Sequence, residues 1–487
     1  MPSSTKDDVQ VDQHVSSKTA ASMAPLYVVD PVDEKRVVRK LDRVIMPLMA
    51  FVYFFQYLDK QSINYAAVFG LREHLSLSGS DFSWAVSLFY FGQLVSQYPA
   101  AYLMSRVPIT LFVGVAIMLW GGAEMCLAAA HDFPSLAAIR FLLGFFEGAV
   151  SPSFIIITSN WYRRREHPVR VATWVSMFGV SQIVGALMMY GVGGAKVSMA
   201  TWRVMFLLCG GLTLLCGVVF LWLMPQDSTR AWFLTAEERR IATERLALDR
   251  ATRDQNTFEW DQAKEAITDP RTLMYALMAL LITMPTAIVK FSSVVIEGFG
   301  FSSFQTMLVG LPGGAVAFIL VWMGALLPLR YPNARCLAGM FLVAMPMIGS
   351  LLLLTLPSSN SWGIVVSTWF AACTAPPLGI TVGLMASNVR GNTKKSVVSA
   401  IFFVMYCVGC IASPQLWQAE DAPRYSKGCI TSVVSWGLLL ILLLVFYFTA
   451  RLSNARRDRC AEEGEVVVIT INSNLTEKQD PGFRYSH

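Results

Sequence analysis

Long apolar runs alternate with short polar joints over most of the chain. The runs reach about 20 residues or more, the length at which an α-helix crosses the hydrocarbon core of a bilayer. They predict twelve spans, at 44–65, 82–104, 108–129, 135–159, 169–193, 203–224, 271–296, 305–329, 335–355, 361–387, 395–418 and 429–450. A longer charged stretch, 225–270, separates the sixth span from the seventh. Within it, Thr235 and Glu238 form a capping-box pattern that opens TAEERRIATERLALDR, which predicts a short amphipathic helix at the membrane surface.

Composition agrees with this pattern. Of 487 residues, 54% are hydrophobic and only 15% are charged, against roughly a quarter charged in ordinary globular proteins. The expected fold class is therefore all-α membrane protein. Residues 1–43 are polar and hold no signal-peptide core, so the first span is expected to act as the targeting signal. The nine cysteines lie mostly inside apolar runs, without metal-ligand or disulfide-framework spacing. Cys407 and Cys410 form a C-x-x-C within a span, which reads as packing. No cofactor or metal is expected. The formal net charge of +6 comes from loops and tails, so it reads as topology, with no nucleic-acid partner.

Lys and Arg in short loops stay on the cytoplasmic side. One face collects Arg106, Arg163, Arg164, Arg165, Arg170, Arg330, Arg335, Arg390, Lys394 and Lys395; the other has only Arg72, Lys196, Arg203, Arg424 and Lys427. Both ends fall on the richer face and are expected in the cytoplasm. The predicted organisation is a tail (1–43), a six-helix bundle (44–224), a central loop (225–270), a second six-helix bundle (271–450) and a second tail (451–487). On that topology the sequon Asn474-Leu475-Thr476 lies inside the cell and stays unmodified. The halves echo each other weakly, with a basic loop after the fourth span (WYRRREHPVR) and another after the tenth (NVRGNTKK). Six plus six helices with repeat-like halves is the pattern of secondary transporters, whose substrates bind near the midplane between the halves. No catalytic constellation is visible: there is no HExxH, P-loop or G-x-S-x-G, and the five histidines are scattered in tails and loops.

Charges inside the spans are the candidate chemistry. An ionisable side chain in a membrane helix costs about 2.5–3.5 kcal/mol on insertion scales, so it faces a cavity or a partner. Arg140 and Glu147 share the apolar run IRFLLGFFEGAVSPSF. Seven residues apart, they differ by about 20° around a helix and about 10 Å along it, too far for an easy pair with each other. Asp59 and Lys60 lie near the end of the first span, and Lys290 lies in the seventh, after Pro285. Three cations with two carboxylates suit an anionic substrate. Arg140 and Lys290 would hold a carboxylate, and Glu147 would take and release a proton. The alternative is that these charges pair to fix helix packing, which weighs most for Asp59 and Lys60. Gln93 and Gln182 are possible cavity-lining residues, although amides in membrane helices also bond simply across helices. Glu124 is expected at the outer membrane interface.

The motifs YLDKQSINYA, LFYFGQLVSQYP, RFLLGFFEGAVSPSF, ITSNWYRRREHPVR, WLMPQDSTRAWFLTAEER, EGFGFSSFQT and SNVRGNTKKSVVSAIFFVMYCVGC are similar to those of the major facilitator superfamily. Within it they resemble the fungal allantoate permease family of anion:cation symporters, over about 35–460. The resemblance implies twelve transmembrane helices in two six-helix bundles, the major facilitator fold. It also implies proton-coupled uptake of small carboxylates such as allantoate, nicotinate or a vitamin acid across the plasma membrane. Related animal carriers have Arg and Glu at the same seven-residue spacing in span four and a basic residue in span seven, which maps substrate or coupling roles onto Arg140, Glu147 and Lys290. The chain departs from the family in three places. YPAAYLMSRVP replaces the usual G-x-x-x-D-R-x-G-R, Cys410 stands in the usual G-N-I, and Lys290 replaces an uncharged polar residue. The expected partners are a small organic anion, protons and the bilayer, with the chain a monomer. Export of a specialised metabolite and a non-transporting nutrient sensor are the competing readings.

Overall fold

The computed structural model describes residues 30–78, 80–195, 198–246, 258–331, 334–462 and 474–487. Lys196 and the predicted amphipathic stretch beyond residue 246 lie outside them. Among the described residues, twelve long helices form the body. Eleven are long and apolar enough to cross a membrane: α1 Pro31–Val68, α3 Ile109–Leu127, α4 Phe133–Trp161, α5 His167–Gly194, α6 Thr201–Leu223, α7 Pro270–Gly298, α8 Ser303–Arg330, α9 Arg335–Thr355, α10 Ser361–Asn388, α11 Asn392–Leu416 and α12 Ser426–Ala461. The remaining one, α2 (Asp81–Arg106), is as long as its neighbours but diluted by Ser83, Ser87, Gln93, Ser96 and Gln97. It survives as a helix because its polar side finds protein rather than lipid. Gln97 donates to the Gly148 carbonyl on α4 at 3.1 Å. Ser83 and Ser87 donate to the carbonyls of Trp417 and Ile411 at 3.2 and 2.8 Å.

The helices pack as two six-helix bundles. Within the first, α2 lies on α4 and α3 on α6; within the second, α9 lies on α12 and α7 on α11. The α2–α4 contact is backbone on backbone. A Cβ at Gly144 would strike the Phe89 carbonyl, and one at Gly92 would strike that of Phe141. Only glycine permits this approach. Between the bundles α5 meets α8, α1 meets α7 and α2 meets α11. Hydrogen bonds across that seam gather toward the face opposite the termini. They include Asn64 to Ser293 at 3.0 Å, Gln415 to Ser87 at 2.9 Å and Ser303 to the Val68 carbonyl at 3.4 Å.

The face that carries the termini is tied within each half. α1 starts well before the expected residue 44. Asp30 caps it, and residues 31–43 continue as helix because their charges have fixed partners. Glu34 pairs with Arg163 at 2.7 Å, Asp42 with Arg170 at 3.0 Å, and Lys40 with Glu238 at 2.6 Å. The last pair comes from the short helix Ala236–Glu244, which opens with the expected capping box. In the second half, residues 474–487 fold back onto the helix ends. Arg457 donates to the carbonyls of Phe483 and Glu477, both at 2.7 Å, and Asn454 donates to that of Tyr485 at 2.8 Å. Thr476, in the sequon, is fully buried there.

Candidate functional site

Two helix breaks position the buried charges. α4 consists of Phe133–Glu147 and Val150–Trp161, so Glu147 ends the first piece where Gly148 meets α2. α7 is interrupted by a 3₁₀ turn, Met284–Ala287, at Pro285, which has no N–H to give. Ser413 of α11 repairs this break. It accepts from the Ala287 N–H at 3.0 Å and donates to the Met284 carbonyl at 2.6 Å. Lys290 then enters the bundle from the first turn of Ile288–Gly298.

The five expected charged residues are all buried, and they divide into two groups. Lys60, Arg140, Glu147 and Lys290 gather around the α1–α4–α7 junction. Lys60 Nζ lies 2.9 Å from Glu147 Oε1, an ion pair that falls short of a directed hydrogen bond for either Glu147 oxygen. The Phe89 ring centre stands 5.2 Å from Lys60 Nζ and 5.2 Å from the Arg140 guanidinium, so one aromatic ring serves two cations. Arg140 donates from Nε to the Ala85 carbonyl at 3.4 Å, while its Nη1 has no partner. Lys290 Nζ donates to the Lys60 carbonyl at 2.8 Å. Three cations thus gather around Glu147, and Arg140 also lies near Glu124.

Asp59 turns the other way. Its Oδ2 accepts from Trp120 Nε1 and Thr213 Oγ1, both at 2.7 Å, which ties α1 to α3 and α6. Glu124 differs from its expected interfacial place. It is fully enclosed one turn beyond Trp120, with neither carboxylate oxygen hydrogen-bonded and Asp59, Ser62 and Arg140 among the groups around it. Gln93 is buried with Oε1 unpartnered. Gln182 lines a separate cavity of about 50 Å³ between the bundles. None of Lys60, Arg140, Glu147 and Lys290 lines that cavity. Cys410 is buried with Sγ 3.8 Å from Thr286 Oγ1, and all nine cysteines are free thiols.

Sequence reasoning did not find Trp120, Thr213 and Ser413 as partners, because Trp, Thr and Ser inside apolar runs give no signal of their own. It also did not find the acidic group Glu265, Asp269 and Glu477, whose oxygens lie within 4.8 Å of one another. Its buried cation is Lys394, at 2.8 Å from Glu265 and 2.8 Å from Asp269 and paired with Glu477 as well; the exposed Lys478 adds a contact to Asp269 at 3.3 Å.

Known proteins agree with this architecture. The Major Facilitator Superfamily model matches residues 49–414. An uncharacterised transporter of Schizosaccharomyces pombe is 36% identical over 93% of this chain and 87% of its own length. Allantoate permease of Saccharomyces cerevisiae is 31% identical over 94% of this chain and 87% of its own. The crystal structure of a bacterial homologue of the human lysosomal transporter Spinster shares the fold, with a TM-score of 0.59 at 13% identity over 86% of this chain and 97% of that one. The chain therefore belongs to the Major Facilitator Superfamily, among fungal relatives that include allantoate permease, and is a multi-pass membrane transporter rather than an enzyme.

Proposed function

We propose that this transporter carries a small organic anion together with protons, by alternating access, across the plasma membrane with both termini in the cytoplasm. The observation that carries the reading is the Lys60–Glu147 pair, set beside an unpaired Arg140 Nη1 and a Lys290 bonded only to a carbonyl. Arg140 Nη1 and the Lys290 ammonium have no carboxylate bonded to them, so an incoming carboxylate finds donors waiting. Glu147 competes with it for Lys60. A proton on Glu147 removes that competitor and frees Lys60 for the anion, which links proton and anion occupancy. Allantoate, named by one relative, is a carboxylate and belongs in the first panel of substrates. Cys410 and Lys290 set this junction apart from the family pattern and argue for a different acid.

The test is uptake of labelled organic acids at acidic pH in yeast expressing the chain, with and without a protonophore. Protonophore-sensitive accumulation of one acid is expected. Glu147→Gln should abolish accumulation while leaving counterflow exchange, and Arg140→Ala should weaken binding. Absence of uptake by protein shown to be at the surface would overturn the reading.

A further inference from the structure

Residues 474–487 are held at the face of the termini as a receptor holds a peptide. Asn454 of α12 reads Tyr485 with both ends of its amide: Nδ2 donates to the Tyr485 carbonyl and Oδ1 accepts from its N–H, each at 2.8 Å. Asn388 of α10 reads Ser486 in the same way, at 2.9 and 2.7 Å. Two consecutive peptide units are thus clamped by side chains from two helices. The Arg271 guanidinium of α7 lies 3.4 Å from the centre of the Tyr485 ring. The Arg335 N–H at the start of α9 donates to the His487 carbonyl at 3.1 Å. Lys394 of α11 pairs with Glu477, and Arg390, just before α11, pairs with Asp480. One short segment therefore grips α7, α9, α10, α11 and α12. Tyr485 and Phe483 join the apolar core. The rest of the grip is hydrogen bonds and ion pairs, and a hydrogen bond contributes only about 0.5–1.5 kcal/mol net because water replaces it on release.

The first half secures its matching basic loop in another way. There Arg163 and Arg170 pair with Glu34 and Asp42, which are part of α1 itself. In the second half Glu477 and Asp480 come from a segment outside the spans, so they can leave. Release strands no buried cation, because Lys394 keeps Glu265 and Asp269. The fold therefore outlives release. α7 and α10 are both interrupted, at Met284–Ala287 and between Ala371 and Ala375. The segment binds the piece on the terminus side of each break and ties it to α9 and α12, which run without a break. A ligand shifts an equilibrium only by binding one arrangement better than another, and this set of bonds is complete only while the five helix ends keep their places. They keep them here with the opposite face sealed by the Asn64–Ser293, Gln415–Ser87 and Ser303–Val68 bonds. We infer that residues 474–487 are a releasable inhibitory strap: seated, it holds the transporter in the form sealed opposite the termini, and released, it lets that seal open. The inference rests on the alternating-access part of the reading above and needs no particular substrate.

Hydrogen–deuterium exchange of the full-length protein in lipid nanodiscs tests it without any substrate. The reporters are the amides of residues 64–72 and 293–303, at the sealed seam on the face away from the strap. Glu477→Gln combined with Tyr485→Ala alters the strap alone and should speed exchange at both reporters by about threefold or more. A synthetic peptide of residues 474–487, in excess, should take the weakened strap's place and return exchange to the wild-type rate. Asn388→Ala combined with Asn454→Ala removes the clamp instead. Exchange should rise by a similar factor, and the peptide should not restore it. If the clamp variant fails to fold, the strap variant and its reversal by peptide decide the matter. Faster exchange confined to 259–271, 388–394 and 454–458 would make the segment a local fastening and overturn the inference. So would seam exchange that the peptide cannot slow in the strap variant. Failure of organic-acid uptake leaves these rates untouched, whereas unchanged seam exchange beside successful uptake removes the strap alone.

Discussion

Two lysines are buried in the second half of the molecule, and they live differently. Lys394 sits at the face of the termini with three carboxylates, Glu265, Asp269 and Glu477, bonded to its ammonium. Lys290 sits within the membrane and gives its ammonium to a single peptide carbonyl. Burial is nearly the same, at 1% and 3% exposed, so depth does not tell scaffold from site. Saturation does. A buried charge with every partner in place holds helices together, whereas one supplied only with a neutral acceptor keeps its capacity to pair for a ligand.

The largest effect that would break this contrast is on stability. Lys394→Met leaves three carboxylates facing one another and should lower stability by about 3–5 kcal/mol, the usual penalty for removing one partner of a buried pair. Thermal unfolding in detergent measures it, and an unchanged midpoint would dissolve the distinction. Lys290→Met should hold stability within about 1 kcal/mol, because it strands no opposite charge, and should abolish anion accumulation in the uptake assay. A stability loss equal to that of Lys394→Met would place Lys290 in the scaffold. Adding Glu477→Gln to Lys394→Met sharpens the comparison by removing one stranded carboxylate. The double variant should recover part of the loss, about 1–2 kcal/mol on the scale of such networks.

Smaller effects probe the same cluster through pH. Burial works to raise the Asp269 carboxyl, but hydrogen bonds from Lys394 and the Arg271 N–H, with the Lys394 and Lys478 charges, outweigh it and hold the group below its ordinary 3.8. A carboxylate held low in the folded state stabilises the fold above its unfolded pKa and loses that contribution as pH falls through the lowered value. Wild type should therefore lose stability on acidification below about pH 3.8 more steeply than Asp269→Asn. Parallel curves would show that the pairing contributes nothing. The smallest effect belongs to Lys40, whose pair with Glu238 leaves a third of its side chain in water. Lys40→Met should change the unfolding free energy by less than about 1 kcal/mol.

The spans were legible because a run of about 20 apolar residues has few other fates. The buried charges were legible because lipid excludes them, and so was the interruption at Pro285. Their partners were not. Whether Asp59 faces Glu147 or Trp120 depends on the rotation of α1 against α3, which no local pattern encodes. The helical start of α1 was hidden because its polar face is matched by Arg163, Arg170 and Arg245, distant in sequence. Residues 474–487 read as solvated tail for the same reason: Arg457, Asn454 and Lys394 become their neighbours only after folding.

The polarity of α2 bears on how the protein is made. A segment with Ser83, Ser87, Gln93, Ser96 and Gln97 partitions poorly from the translocon into lipid on its own. Its hydrogen-bonding partners Gly148, Ile411 and Trp417 are all synthesised later, two of them near the end of the chain. During synthesis α2 is therefore expected to settle in the bilayer only once α4 arrives with Gly144 and Gly148 to receive it. Its final seating belongs to the last steps of assembly.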